Sequence, residues 1–181
     1  MYLFILNIIF VTLIFFNVVG YGILLSYILK QNQKSFTEFF VGGSILLLSF
    51  SLIINFFSPL NLIITNSFFL IFTLLGMFTS MSKIFYKNNF RIFIFIILYS
   101  SLINFKSYPY NDYEFYHLPY MEILRHFKII FGLSNFEFSF GHSAILQNIS
   151  AFQYNSLMKL DSYIYFNTLI VSIIIAEILF S

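Results

Sequence analysis

Apolar runs of membrane length, broken by short polar stretches, organise most of this chain. The first runs from Tyr2 to Leu29 and stops at Lys30; the second covers Phe39 to Phe57 and the third Leu62 to Met81. A hydrocarbon core about 30 Å thick takes roughly 20 helical residues, so each run can cross it, the first with some tilt. Lys30 to Glu38 and the stretch bearing Lys83, Lys87 and Arg91 read as polar loops, and Ser58-Pro59-Leu60-Asn61 as a tight connection. Gly42, Gly43 and Ser44 offer a surface for close helix contact. The fourth run, Ile92 to Phe105, has only 14 residues. At that length buried, re-entrant and spanning helices look alike. Lys106 can snorkel and Tyr108 and Tyr110 suit an interfacial belt, which favours a crossing. A fifth run, Tyr163 to Phe180, is long enough to cross. The pattern predicts an all-α, multi-pass transmembrane protein of about five spans. Residues 1–107 carry four of them, 108–161 form one external loop with amphipathic juxtamembrane helices, and 162–181 hold the fifth.

Composition agrees with this division and removes several alternatives. The 181 residues are 60% hydrophobic and 9% charged, with 28 Phe, whereas an average soluble domain is about 25% charged. A soluble fold of this size could not hide that much apolar surface. A net charge of +2 with no basic patch gives no footprint for nucleic acid. The absence of cysteine excludes disulfides, cysteine nucleophiles and thiolate metal sites. No positive charge precedes the first run and no small-residue cleavage site follows it, unlike a signal peptide. The Lys30/Lys34 and Lys83/Lys87/Arg91 loops lie two crossings apart and share a side, which positive-inside bias makes cytoplasmic. The Tyr108–Asp161 loop then faces out. The chain stops directly after an apolar run that contains Glu177. Two readings stand: the carboxylate meets a partner helix, from a longer multi-pass protein or an oligomer, or it lies at the cytoplasmic interface.

Candidate chemistry gathers in the loop, which holds five of the seven acidic residues and all three histidines. Loops of this length are commonly functional, and this one is too rich in aromatic and aliphatic residues for disorder. His117-Leu118-Pro119-Tyr120 opens a helix with proline in its first turn. Leu118, Met121, Leu124 and Phe127 share one face and Glu122, Arg125 and Lys128 lie around the other, the pattern of an interfacial helix; Gly132 suits its end. Ser143 can cap a second helix to about Leu157, with Ile145, Ile149 and Phe152 on one side. Just before the first helix, Asp112 and Glu114 place two carboxylates two residues apart. Such a pair can take a proton from an acceptor hydroxyl or hold a divalent cation against a phosphate; by spacing alone a solvated structural loop is the commoner reading. His117 can donate to a phosphate. His142, after Gly141, is a weaker ligand contact, and His126 reads as an interfacial side chain. Asn148-Ile149-Ser150 matches a glycosylation acceptor.

The run D-x-E-x-YHLP from Asp112, then IIFGLSN, then FGHSA, resembles a family of large bacterial multi-pass membrane proteins. That family is similar in turn to the GT-C glycosyltransferases, many-helix enzymes using polyprenyl-phosphate sugars. The resemblance covers about fifty residues, Tyr108 to Tyr154. It implies that Asp112 is the essential acidic residue, with Glu114 as a second. His117, Gly132 and Asn135 match motif positions without assigned roles. GT-C enzymes usually present the acidic loop after their first span, whereas here three or four runs come first. On this footing the expected activity is transfer of a sugar from a polyprenyl-phosphate carrier to a cell-surface glycan or lipid, in the bacterial inner membrane, by this chain or as the N-terminal part of an enzyme. Asp112 and Glu114 act in catalysis or hold a divalent cation, and His117, Arg125, Asn135 and His142 contact the substrate. The expected partners are the bilayer, the lipid-linked sugar donor and further helices of the same or another chain. The alternative is a non-catalytic transport or assembly subunit with an external docking loop.

Overall fold

A computed structural model describes residues 2–30, 35–84, 87–106, 117–130, 145–158 and 162–180. These form seven α-helices: α1 (Tyr2–Ile28), α2 (Phe36–Phe57), α3 (Leu62–Ile84), α4 (Lys87–Lys106), α5 (Leu118–His126), α6 (Ile145–Gln153) and α7 (Ser162–Phe180). Three helical stretches, Tyr2–Ile28, Phe36–Phe57 and Leu62–Ser80, are long and apolar enough to cross a membrane. The apolar parts of α4 and α7 are shorter, Asn89–Phe105 and Tyr165–Phe180.

Helix boundaries follow local chemistry more closely than the apolar runs do. The second helix begins three residues before its apolar run because Ser35 closes a capping box: its Oγ accepts from the Glu38 N–H at 3.1 Å, and its own N–H donates to the Glu38 carboxylate at 3.5 Å. Two orphan N–H groups are thereby satisfied. Asn61 serves the third helix in the same way, its Oδ1 accepting from the Ile64 N–H at 3.1 Å. The first helix ends where Lys30 turns into the left-handed region at φ 52°. The fourth helix runs over 20 residues, not the 14 of its apolar run, because its first turns are built from Lys87, Asn88, Asn89 and Arg91.

At the centre of the bundle stands α1, with Val11, Ile14, Phe15, Val18 and Val19 fully buried. It lies so close to its neighbours that side chains are excluded from the contacts. A Cβ on Gly22 would fall on the Phe39 carbonyl and one on Gly43 on the Val18 carbonyl, which sets the backbones of α1 and α2 against each other. Likewise Gly20 meets the Phe72 carbonyl and Gly76 the Phe16 carbonyl, which brings the backbones of α1 and α3 together. Small residues at helix contacts let backbones approach where the solvent is lipid and the hydrophobic effect does not drive association. The α1–α2 contact uses Gly43, one of the residues expected there. The opposite side of the bundle pairs α4 with α7, where Ser100 Oγ donates to Ser172 Oγ at 2.6 Å. Phe36, Phe40 and Phe93 ring Phe15 and tie the two halves together.

Glu177, in the last turn but one of α7, accepts a 2.6 Å hydrogen bond from Thr37 Oγ1 in the first turn of α2. Its partner is therefore a helix of the same chain, and the N-terminal dipole of that helix favours the carboxylate.

Candidate functional site

The two short helices seal the opposite end of the bundle. The first of them, α5, opens with proline in its first turn, as expected, and buries Tyr120, Met121 and Leu124. It stops at Phe127, before Gly132, which lies outside the described residues; Phe127 itself is exposed. Asn55, buried near the end of α2, holds it in place. The Asn55 amide donates to the Leu124 carbonyl at 2.9 Å and the Phe127 carbonyl at 3.1 Å, and its backbone carbonyl accepts from the Ile129 N–H at 3.1 Å. The Leu60 N–H adds a second bond to the Leu124 carbonyl at 3.0 Å. These groups are the orphan carbonyls of a helix C-terminus, satisfied by a neighbouring helix.

A one-sided reading of α6 does not hold. Every residue from Gln147 to Gln153 is buried, polar and apolar alike. The helix, shorter than the expected reach to Leu157, sits among α2, α5 and α7 and drives its C-terminal end down to the middle of α1. There the Gln153 amide donates to Asn17 Oδ1 at 2.9 Å, while the Asn17 amide donates to the Phe69 carbonyl at 3.0 Å and reaches Thr73 Oγ1 at 3.4 Å. Higher up, Ser51 Oγ donates to the Asn148 carbonyl at 2.9 Å. Beyond it Asn155 Oδ1 accepts from the Leu157 and Met158 N–H groups, both at 3.0 Å, and the Ser156 N–H donates to Asn66 Oδ1 at 3.0 Å. Buried polar groups need such partners. The Asn148-Ile149-Ser150 tripeptide lies inside this helix with Ser150 wholly buried, so it presents no acceptor to a glycosylating enzyme in the folded state.

Where the two helices meet, the candidate side chains come together. His117, at the N-cap of α5, places Nδ1 2.5 Å from the Gln147 amide nitrogen of α6. Arg125 was expected on an outer face, yet its side chain is only 11% exposed. Its guanidinium lies 3.6 Å from the centroid of the Tyr154 ring and pairs with Glu122 one turn away. A desolvated cation over an aromatic face contributes about 2 kcal/mol or more, which favours the inward turn of this arginine. Arg125 Nε has no acceptor among the described residues, and neither Gln147 Oε1 nor Gln153 Oε1 has a donor. His126 lies on the outer side of α5, 66% exposed and 3.4 Å from Glu122. Burial raises the Tyr120 phenol above its ordinary range.

Of the six residues expected to form a site, His117 and Arg125 thus share the α5–α6 junction, on different partners. Asp112, Glu114, Asn135 and His142 lie outside the described residues. Among the described residues no three of His, Asp and Glu converge as metal ligands; Asp112 and Glu114, the pair proposed for a cation, are not among them. Gln147 and Tyr154 were missed. The signal available was a run of amides, Gln147, Asn148, Gln153 and Asn155, inside an otherwise apolar segment, a pattern that in a lipid setting means interhelical bonding.

The fold and this junction define an all-helical protein, among the described residues, with three helices of membrane-crossing length and a pair of short helices, α6 buried and α5 partly exposed. The chain belongs to a domain family of unknown function, DUF8201, which it matches over residues 1–181. No curated protein and no solved structure matches it.

Proposed function

We propose that this chain is a five-span membrane protein that acts as a GT-C-like glycosyltransferase, alone or as part of a larger enzyme, moving a sugar from a polyprenyl-phosphate carrier to a cell-surface glycan or lipid. One observation carries the reading: the α5–α6 pair holds His117 and Arg125 at one end of an apolar bundle, on the helix that directly follows the Asp112–Glu114 carboxylates in sequence. In this reading that end faces the outside of a bacterial inner membrane, where a carrier headgroup is presented. Asp112 serves as general base toward the acceptor hydroxyl or, with Glu114, as ligand to a divalent cation. Arg125 and His117 supply N–H donors to the donor phosphate, the guanidinium held flat by Tyr154 and therefore pre-organised. Asn135 and His142 complete the substrate contacts.

Asp112→Asn should abolish transfer of sugar from a polyprenyl-phosphate donor, by 100-fold or more if the group is a general base, on the order of what such catalysis contributes, while membrane insertion is unchanged. Normal turnover in this variant removes Asp112 from the mechanism. The competing reading is a non-catalytic transport or assembly subunit, favoured by the use of α6 polar groups for internal bonding. Titration of the solubilised protein with polyprenyl-phosphate sugar separates the two: saturable binding lost on Arg125→Ala supports the enzyme, and no binding supports the subunit.

A further inference from the structure

We infer that Gln147 is a positioning residue for His117: its side-chain amide fixes the imidazole orientation and holds the neutral ring with its proton on Nε2. The inference rests on the reading above for the use to which His117 is put, but not for the contact itself. Gln147 lies 30 residues from His117 in sequence, is 6% exposed, and brings its amide nitrogen to 2.5 Å from Nδ1. An amide N–H can only donate, so Nδ1 must accept, and in the neutral ring the proton then sits on Nε2. That tautomer puts the ring N–H on Nε2, the donor that the reading above directs at a phosphate oxygen.

The two groups are held independently, which makes the contact a geometric constraint and not a chance meeting of side chains. His117 is carried on α5, pinned to α2 through Asn55 and to the α2–α3 connection through Leu60. Gln147 is carried on α6, pinned to α2 by the Ser51 hydroxyl and to α1 by Gln153. Neither helix can shift without breaking buried hydrogen bonds, so the amide meets the ring at a set distance and angle. The choice of an amide also has chemical sense. A carboxylate in this place could only accept, so it would draw the ring proton to Nδ1 and favour the imidazolium. An amide can turn over and present Oε1, which has no donor among the described residues, to Nδ1–H when the ring is charged. The ring therefore keeps its anchor through a cycle in which it gives and regains a proton.

The test is the 15N spectrum of the full chain, labelled at histidine and held in lipid nanodiscs, at a pH high enough that the ring is neutral. The His117 signals are assigned by their loss in His117→Gln. In the unsubstituted protein Nε2 should be protonated and Nδ1 should carry the shift of a hydrogen-bonded acceptor. Gln147→Leu should lower the ratio of the Nε2–H to the Nδ1–H tautomer by roughly 3- to 10-fold, the range expected for one lost hydrogen bond. Gln147→Glu, nearly isosteric and so less exposed to misfolding, should move the ring proton to Nδ1. A ring proton on Nδ1 in the unsubstituted chain, or an unchanged spectrum in Gln147→Glu, overturns the inference. Because the spectrum needs no sugar donor, failure of the glycosyltransferase reading would show separately, as absent transfer with the tautomer shifts intact.

Discussion

A few single residues decide how closely this bundle packs and how its short helix α5 is seated. Gly43 is the clearest case. A methyl at that position would overlap the Val18 carbonyl and crowd the Gly22 N–H, and backbone cannot move aside as a flexible side chain can. Gly43→Ala should therefore destabilise the protein by about 1–3 kcal/mol, the usual cost of overpacking, read as a lower midpoint in thermal or denaturant unfolding in detergent. Tyr120 makes a different demand. Its phenol is raised by burial above the ordinary 10.0, so as pH rises the unfolded chain loses this proton first. The contribution is complete below about pH 10, the ordinary value of a tyrosine, and is lost as pH climbs through the higher folded value. Stability measured across that range should fall at alkaline pH, and Tyr120→Phe should flatten the decline.

At the level of the element, amphipathic periodicity served well for α5 and poorly for α6. The stripe Leu118, Met121, Leu124 does face the core, and the break at Phe127 follows from Asn55 taking the Leu124 and Phe127 carbonyls. No stripe could reveal that α6 is buried on every side, because its polar groups bond to α1, α2 and the start of α5, which are remote in sequence. Arg125 turned inward for a related reason: Tyr154 and Glu122 give its charge a home that an isolated helix lacks. The dependence of α5 on one buried amide is open to measurement. In Asn55→Ala, backbone hydrogen exchange over 118–129 should speed up by 10-fold or more, as removal of bonds to buried carbonyls costs about 1–3 kcal/mol. Exchange in the middle of α1 should stay as it was.

For the whole molecule, the question is how many times the chain crosses the membrane. Three stretches have the length and apolarity to do so, and α4 and α7 lie paired beside them through Ser100 and Ser172. In the five-span reading proposed above, Lys30 lies at the cytoplasmic face and the α5–α6 junction at the external one. A reporter fused after Asn111 should accordingly score as external, and one fused after Lys30 as cytoplasmic. An internal signal after Asn111 would leave the α5–α6 end without access to an externally presented carrier, and the proposed transfer would fall with it.

Sequence alone determined the helical class, the first three long helices, the proline-led start of α5 and the concentration of titratable groups before and along it. Those features depend on hydrophobic run length and local turn chemistry, which act over a few neighbouring residues. Only the tertiary structure decided that α6 is buried in the bundle, that Gly20, Gly22 and Gly76 are contact residues, that Glu177 answers Thr37, and that His117 meets Gln147. Each of these pairs groups 30 to 140 residues apart or sets a backbone against a backbone, and no short-range pattern encodes which distant helix will supply the missing donor.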